Sequence, residues 1–166
     1  MSTLNENELA PFIYPYENDL KKTKVNKFYF SYFFKWSMLE NFHYVKKQMP
    51  NFKTNPKKRT KGTFTDFDSL DDKIDCLYYY MQYIKFGFGR ATRDACRMLQ
   101  NDQMTREEAI KLARRYDNEF PEDDFEEVLE FMDINEEEFE KIINKHRNTE
   151  IWKSSLNNKW ELINSI

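Results

Sequence analysis

Lys85-Phe86-Gly87-Phe88-Gly89-Arg90-Ala91-Thr92 holds two of the three glycines in the chain. In a sequence this poor in glycine, two at one joint mark a backbone that needs freedom a Cβ would deny. Upstream, Leu70, Ile74, Leu77, Tyr78, Met81 and Ile84 fall on one face of a 3.6-residue period. That pattern predicts a helix capped by Ser69, with Asp71 and Asp72 in a first turn that favours acids, and ended by Gly87 and Gly89. Downstream, a second helix is predicted from about Arg90 to Gln100. The stretch is therefore a helix–joint–helix unit, and it sets the fold class as mainly α.

The pattern continues outward. Thr105-Arg106-Glu107-Glu108 is a capping box that opens a helix reaching about Phe120. Pro121 starts another, to about Met132, and Asn135 caps a fifth, to about Arg147. Ser37 caps a helix over about residues 38–48, ahead of Pro50. The front differs: Val25 to Phe34 is dense in aromatics and reads as a strand running into a loop. A single strand makes no sheet, so its partners are expected outside this sequence. Asn51 to Asp68 reads as a long loop with Pro56, Gly62 and five bases. The tail carries Trp152 and Trp160 and can add one edge strand.

Net charge is −3 over 166 residues, but the charge is uneven. From Leu20 to Lys61 there are twelve Lys or Arg and one acid; from Asn101 to Glu150 there are 17 acids and seven bases. The acidic second half argues against nucleic acid as the main partner. Lys53, Lys57, Lys58, Arg59 and Lys61 make a basic loop better suited to an anionic ligand or to the chain's own acidic helices. No apolar run reaches the roughly 20 residues that span a bilayer, and the first residues lack the pattern of a signal peptide. Two cysteines without a CxxC pattern fit a reducing cytoplasm.

Lys85 and Arg90 flank the glycine joint, which makes Gly87, Gly89 and Thr92 a candidate anion seat at a helix N-terminus. The alternative is a glycine C-cap joining two helices whose arginines face water. Asp66, Asp68, Asp71, Asp72 and Asp75 lie just upstream. They either help hold magnesium or simply offset a helix dipole; for Asp66 and Asp68 the second reading is favoured. His43 and His146 lack partners at ligand spacing and read as surface or packing residues. No nucleophile motif and no GxxxxGK[ST] loop occurs.

Six ordered blocks together carry a resemblance. They are Ser31-Tyr32-Phe33-Phe34-Lys35-Trp36, Gly62-Thr63-Phe64-Thr65, Ser69 through Asp75, Tyr83 through Thr92, Thr105 through Ala109, and Phe120-Pro121. In this order the chain resembles the C-terminal portion of the N-acetyl sugar amidotransferases, over roughly residues 25–163. Those are PP-loop ATPases of lipopolysaccharide O-antigen and flagellin glycan biosynthesis, the latter including pseudaminic and legionaminic acid.

The resemblance implies that ATP and Mg²⁺ activate an acetamido group as an adenylate. Ammonia from a glutaminase partner then yields an acetamidino group on a free or nucleotide-activated N-acetyl sugar. It further implies catalytic roles for Lys85 and Arg90, and cofactor contacts at Gly87, Gly89, Thr92, Asp72 and Asp75, with the two aspartates as possible Mg²⁺ ligands.

The SGGxDS-type loop of that family does not occur in this sequence. The expectation is that residues 1–36 end a nucleotide-binding α/β domain otherwise missing here. Residues 37–150 would then form the helical C-terminal domain and 151–166 a tail. Such a chain is expected to be cytoplasmic and inactive without an N-terminal PP-loop half. The competing expectation is a non-catalytic helical interaction module that docks through Tyr29, Phe30, Phe33, Phe34 and Trp36.

Overall fold

A computed structural model describes residues 5–155 and 159–164. The chain divides into two compact units, Met1–Trp36 and Ser37–Ile166. The first contains two short helices, α1 (Glu6–Leu9) and α2 (Glu17–Lys22), and two 3₁₀ turns, Ala10–Phe12 and Phe30–Tyr32. Val25–Phe34 forms no strand. Without a neighbouring strand, its backbone groups have no ladder to join. Phe30–Tyr32 instead closes on itself, with the Phe33 N–H bonded to the Phe30 carbonyl at 3.0 Å.

The second unit holds α3 (Met38–Gln48), α4 (Asp75–Phe86), α5 (Arg90–Gln100), α6 (Arg106–Tyr116), α7 (Phe125–Met132), α8 (Glu136–His146) and an antiparallel hairpin. The mainly α reading stands. Ser37, Thr105 and Asn135 cap their helices, and the last two close full capping boxes with Glu108 and Glu138. Two predicted starts shift. Ser69 does not cap α4: it sits at φ +53, and the helix opens at Asp75 after an Asx turn in which Asp72 accepts the Ile74 N–H at 2.9 Å. Helix α7 likewise begins at Phe125, four residues past Pro121.

The core is where α4, α7 and α8 meet. Leu77 and Ile84 of α4 pack with Phe125, Val128 and Leu129 of α7 and with Phe139 and Ile143 of α8. Fully burying such side chains contributes about 1.5–3 kcal/mol each. The buried apolar residues of α5 and α6 are Ala91, Ala95, Ala109 and Ala113, small side chains that let two helices approach closely.

The tail is a hairpin of its own rather than an added edge strand. Strand β1 (Trp152–Ser154) pairs with β2 (Trp160–Leu162), Trp152 opposite Leu162. Trp152 is buried, and its indole N–H donates to the Ile84 carbonyl at 2.7 Å. One of the carbonyls at the C-terminal end of α4 is thereby satisfied by a side chain 68 residues further on.

Candidate functional site

The glycine joint forms as a sharp turn between α4 and α5, and each glycine has a distinct reason. Gly87 takes φ +76 at the end of α4, and a Cβ there would lie 2.8 Å from Ile151 and 3.0 Å from Leu162. Gly89 is needed for space: a Cβ would sit 2.8 Å from a carboxylate oxygen of Asp117.

That carboxylate is the anion at the α5 N-terminus. Asp117 accepts the Thr92 backbone N–H at 2.9 Å and the Thr92 hydroxyl at 2.5 Å. The positive end of α5 is thus neutralised by the chain's own side chain, 25 residues away in sequence. No local pattern in the sequence marks Asp117.

Arg90 is equally committed. Its Nε donates to Asp94 at 2.5 Å, one terminal amine lies 3.1 Å from Asp68, and the other donates to the Tyr79 hydroxyl at 2.7 Å. Its side chain is 11% exposed. Burial works to lower the Arg90 pKa, but Asp94 and Asp68 together hold it above the ordinary value. Burial also pushes the Asp94 carboxyl up, against the pull of Arg90. Asp75 accepts from the Tyr79 hydroxyl at 3.2 Å, and the Ser69 and Tyr79 hydroxyls are hydrogen-bonded.

Lys85 belongs elsewhere. It lines a cavity with Arg93 and His146 that Arg90 does not line. Lys85 thus lines that cavity, whereas the Arg90 guanidinium is engaged by Asp94, Asp68 and Tyr79. Asp72 is engaged with Ile74 and Asp75 with Tyr79, and no three His, Cys, Asp or Glu side chains group as a metal site among the described residues. With Thr92, Arg90, Asp72 and Asp75 so bonded, the joint does not fit a nucleotide phosphate or Mg²⁺.

A larger opening lies across the core. A cavity of about 780 Å³ is walled by Tyr80 and Phe120 and by Phe139, Asn144 and Arg147 on and beyond α8, and closed by Ser154, Lys159 and Trp160 of the hairpin. Arg147 is one of its lining residues. Its guanidinium sits 5.0 Å from the Trp152 ring and 5.2 Å from the Trp160 ring. Its Nε donates to Asn144 at 3.3 Å, and Tyr80 lines the same cavity.

No carboxylate pairs with Arg147 among the described residues, and burial pulls its pKa below the ordinary value. Burial raises the Tyr80 hydroxyl, against a smaller downward pull from Arg147. Glu136 and Glu140 line the same space. The walls thus combine aromatic faces with donors and acceptors of both signs, a set suited to a polyhydroxylated ligand.

A family model described as LPS biosynthesis protein WbpG-like, C-terminal domain, matches residues 61–166. The chain belongs to that family. The match covers α4 to α8 and the hairpin, and so all the residues named around Arg147. No curated protein matches the chain. No helix of the WbpG-like chain, among the described residues, is long and apolar enough to cross a membrane.

Proposed function

We propose that this WbpG-like chain is the C-terminal part of an ATP-dependent N-acetyl sugar amidotransferase, and that it holds the acceptor sugar in the cavity around Arg147. The observation that carries the reading is that cavity: an arginine set against two indoles, with no carboxylate partner among the described residues, in the wall of an aromatic-lined space. Membership of a family of lipopolysaccharide biosynthesis proteins supports a sugar as the ligand. The six sequence blocks support the amidotransferase chemistry.

In this reading Trp160 stacks on a sugar face, Asn144 and Arg147 donate to ring substituents, and Glu136 and Glu140 accept from hydroxyls. ATP, when bound, would adenylate the acetamido oxygen with release of pyrophosphate and so make that oxygen a leaving group; ammonia would displace it as AMP, leaving an acetamidino group. The phosphates and Mg²⁺ are held by a nucleotide-binding half rather than by the glycine joint, and a glutaminase partner delivers the ammonia. The role of this chain is to fix the acceptor and exclude water from one side of it.

The test is reconstitution: the chain, a PP-loop half of the same family, ATP, Mg²⁺, ammonium and candidate N-acetyl sugars, with product followed by the mass change of replacing O by NH. Trp160→Ala and Arg147→Met should raise KM roughly tenfold or more while leaving the thermal transition in place. Turnover at unchanged KM in both variants would remove the sugar from this cavity.

A second reading has an observation of its own. Tyr29, Phe30, Phe33, Phe34 and Trp36 are each more than half exposed, and Phe30 stacks on Phe34 at 4.7 Å. They form an aromatic surface of the kind that marks a protein contact. If the chain is an interaction module, it will run as a monodisperse species alone and yield no product in the reconstituted reaction.

A further inference from the structure

The cavity that Lys85 lines has a chemistry of its own. It measures about 580 Å³ and lies between the last turns of α4, the first turn of α5 and the end of α8. Three basic side chains, Lys85, Arg93 and His146, face it, and no carboxylate lines it among the described residues. The joint contributes Phe88, whose ring stacks on Phe86 with centroids 6.0 Å apart and 29° between planes. Both rings keep over two fifths of their surface exposed. The glycines on either side let Phe88 turn out beside α4, while the backbone behind it closes on Asp117.

Gln82 and Arg93, which line this cavity, each carry a buried polar atom without a hydrogen-bond partner, Oε1 and Nε, as does Asp94 beside Arg93, at Oδ1. Arg93 Nε is ion-paired with Asp94 Oδ1 at 3.8 Å, a separation beyond hydrogen-bond range. Unpartnered buried polar groups cost free energy, and a ligand donor that reached Gln82 would be stabilising there.

The volume is that of a small-molecule site. Aromatic faces call for a planar ring, the cluster of basic side chains for an anion, and Gln82 for a ring N–H or a ribose hydroxyl. We infer that this cavity binds a nucleoside 5′-phosphate, its base against Phe86 and Phe88 and its phosphate between Lys85 and Arg93. The phosphate rests on side chains there and not on the α5 N-terminus, whose Thr92 N–H is already taken by Asp117. The assignment concerns residues other than those around Arg147 and does not depend on the sugar reading.

Uridine and adenosine monophosphates are titrated separately into the full chain, with uridine, adenosine and inorganic phosphate as fragments, read by calorimetry and by backbone amide NMR shifts. Expected is binding of at least one monophosphate on the order of tenfold tighter than either of its fragments, with shifts centred on residues 82–93. Lys85→Glu and Phe88→Ala should each weaken it by about tenfold at an unchanged melting temperature. The assignment is overturned if the monophosphates do not bind at millimolar concentration, if phosphate alone binds as tightly, if Lys85→Glu and Arg93→Gln both leave binding intact, or if Trp160→Ala abolishes it and so moves the nucleotide to the Arg147 cavity.

Discussion

Asp117 shows how much a single side chain decides in this molecule. It satisfies the first turn of α5 twice through Thr92, and it dictates a residue without a Cβ at position 89. Asp117→Ala should destabilise the fold by about 1.5–3 kcal/mol, the worth of charge-assisted hydrogen bonds, as measured by urea unfolding. Gly89→Ala should cost at least as much, since the new methyl meets carboxylate and backbone at once, and the double variant should cost less than the sum. The sequence made the glycines legible as a special joint but left the identity of the anion open, because the carboxylate arrives from the far end of α6. The two cysteines differ in the same local way. Burial pushes the Cys76 thiol up to about 11, whereas Cys96 is exposed. At pH 8 a thiol reagent should modify Cys96 alone in the native protein. Because the Cys76 value is raised on folding, its contribution is fully present below about 9 and is lost as pH rises from 9 to 11, so the urea midpoint should fall across that window.

Helices α5 and α6 meet through alanines, and this makes their contact intolerant of bulk. Ala95 is 2% exposed, and Ala95→Leu should destabilise by about 1–3 kcal/mol through overpacking, with a lower melting temperature as the readout. The Trp152 indole anchors the hairpin to α4. Trp152→Ala removes a buried ring, a hydrogen bond to Ile84 and one face of the Arg147 site, and should cost about 3–5 kcal/mol in chemical denaturation. The capped helices were readable because Ser37, Thr105 and Asn135 announce themselves by local chemistry. The start of α4 was not: Leu70 continues the helical period, yet it is exposed, and the turn from Ser69 to Ile74 is shaped by a left-handed Ser69 and by Asp72. Nor was Val25–Phe34 readable, since β-rich composition describes a preference and not the presence of a partner strand.

The charge asymmetry of the sequence becomes, in the folded second unit, a seam of ion pairs. Lys57 reaches Asp124 at 3.2 Å, Lys61 reaches Glu122 at 3.1 Å, and Lys73 reaches Glu127 at 2.6 Å. Arg59 grips both oxygens of Glu119, whose Oε2 also accepts the Gly62 N–H at 3.0 Å. These pairs are not equivalent. Lys73→Ala, at an exposed pair, should change stability by less than about 1 kcal/mol, whereas Glu119→Ala should cost about 3 kcal/mol or more, because it strands a half-buried guanidinium. The long basic loop read from the sequence thus finds its counter-charge within the chain, but which acids it meets depended on the packing of the segment between α6 and α7. The hairpin carries a different consequence, one of timing. Ile84 gives its carbonyl to Trp152, and Gly87 is covered by Ile151 and Leu162. During synthesis at about 5–20 residues per second, the ribosome must add those 68 residues before the α4 end can be sealed. For roughly 3–14 s the nascent chain presents an unfinished helix end and an open hydrophobic flank, an interval in which a chaperone would be expected to find it.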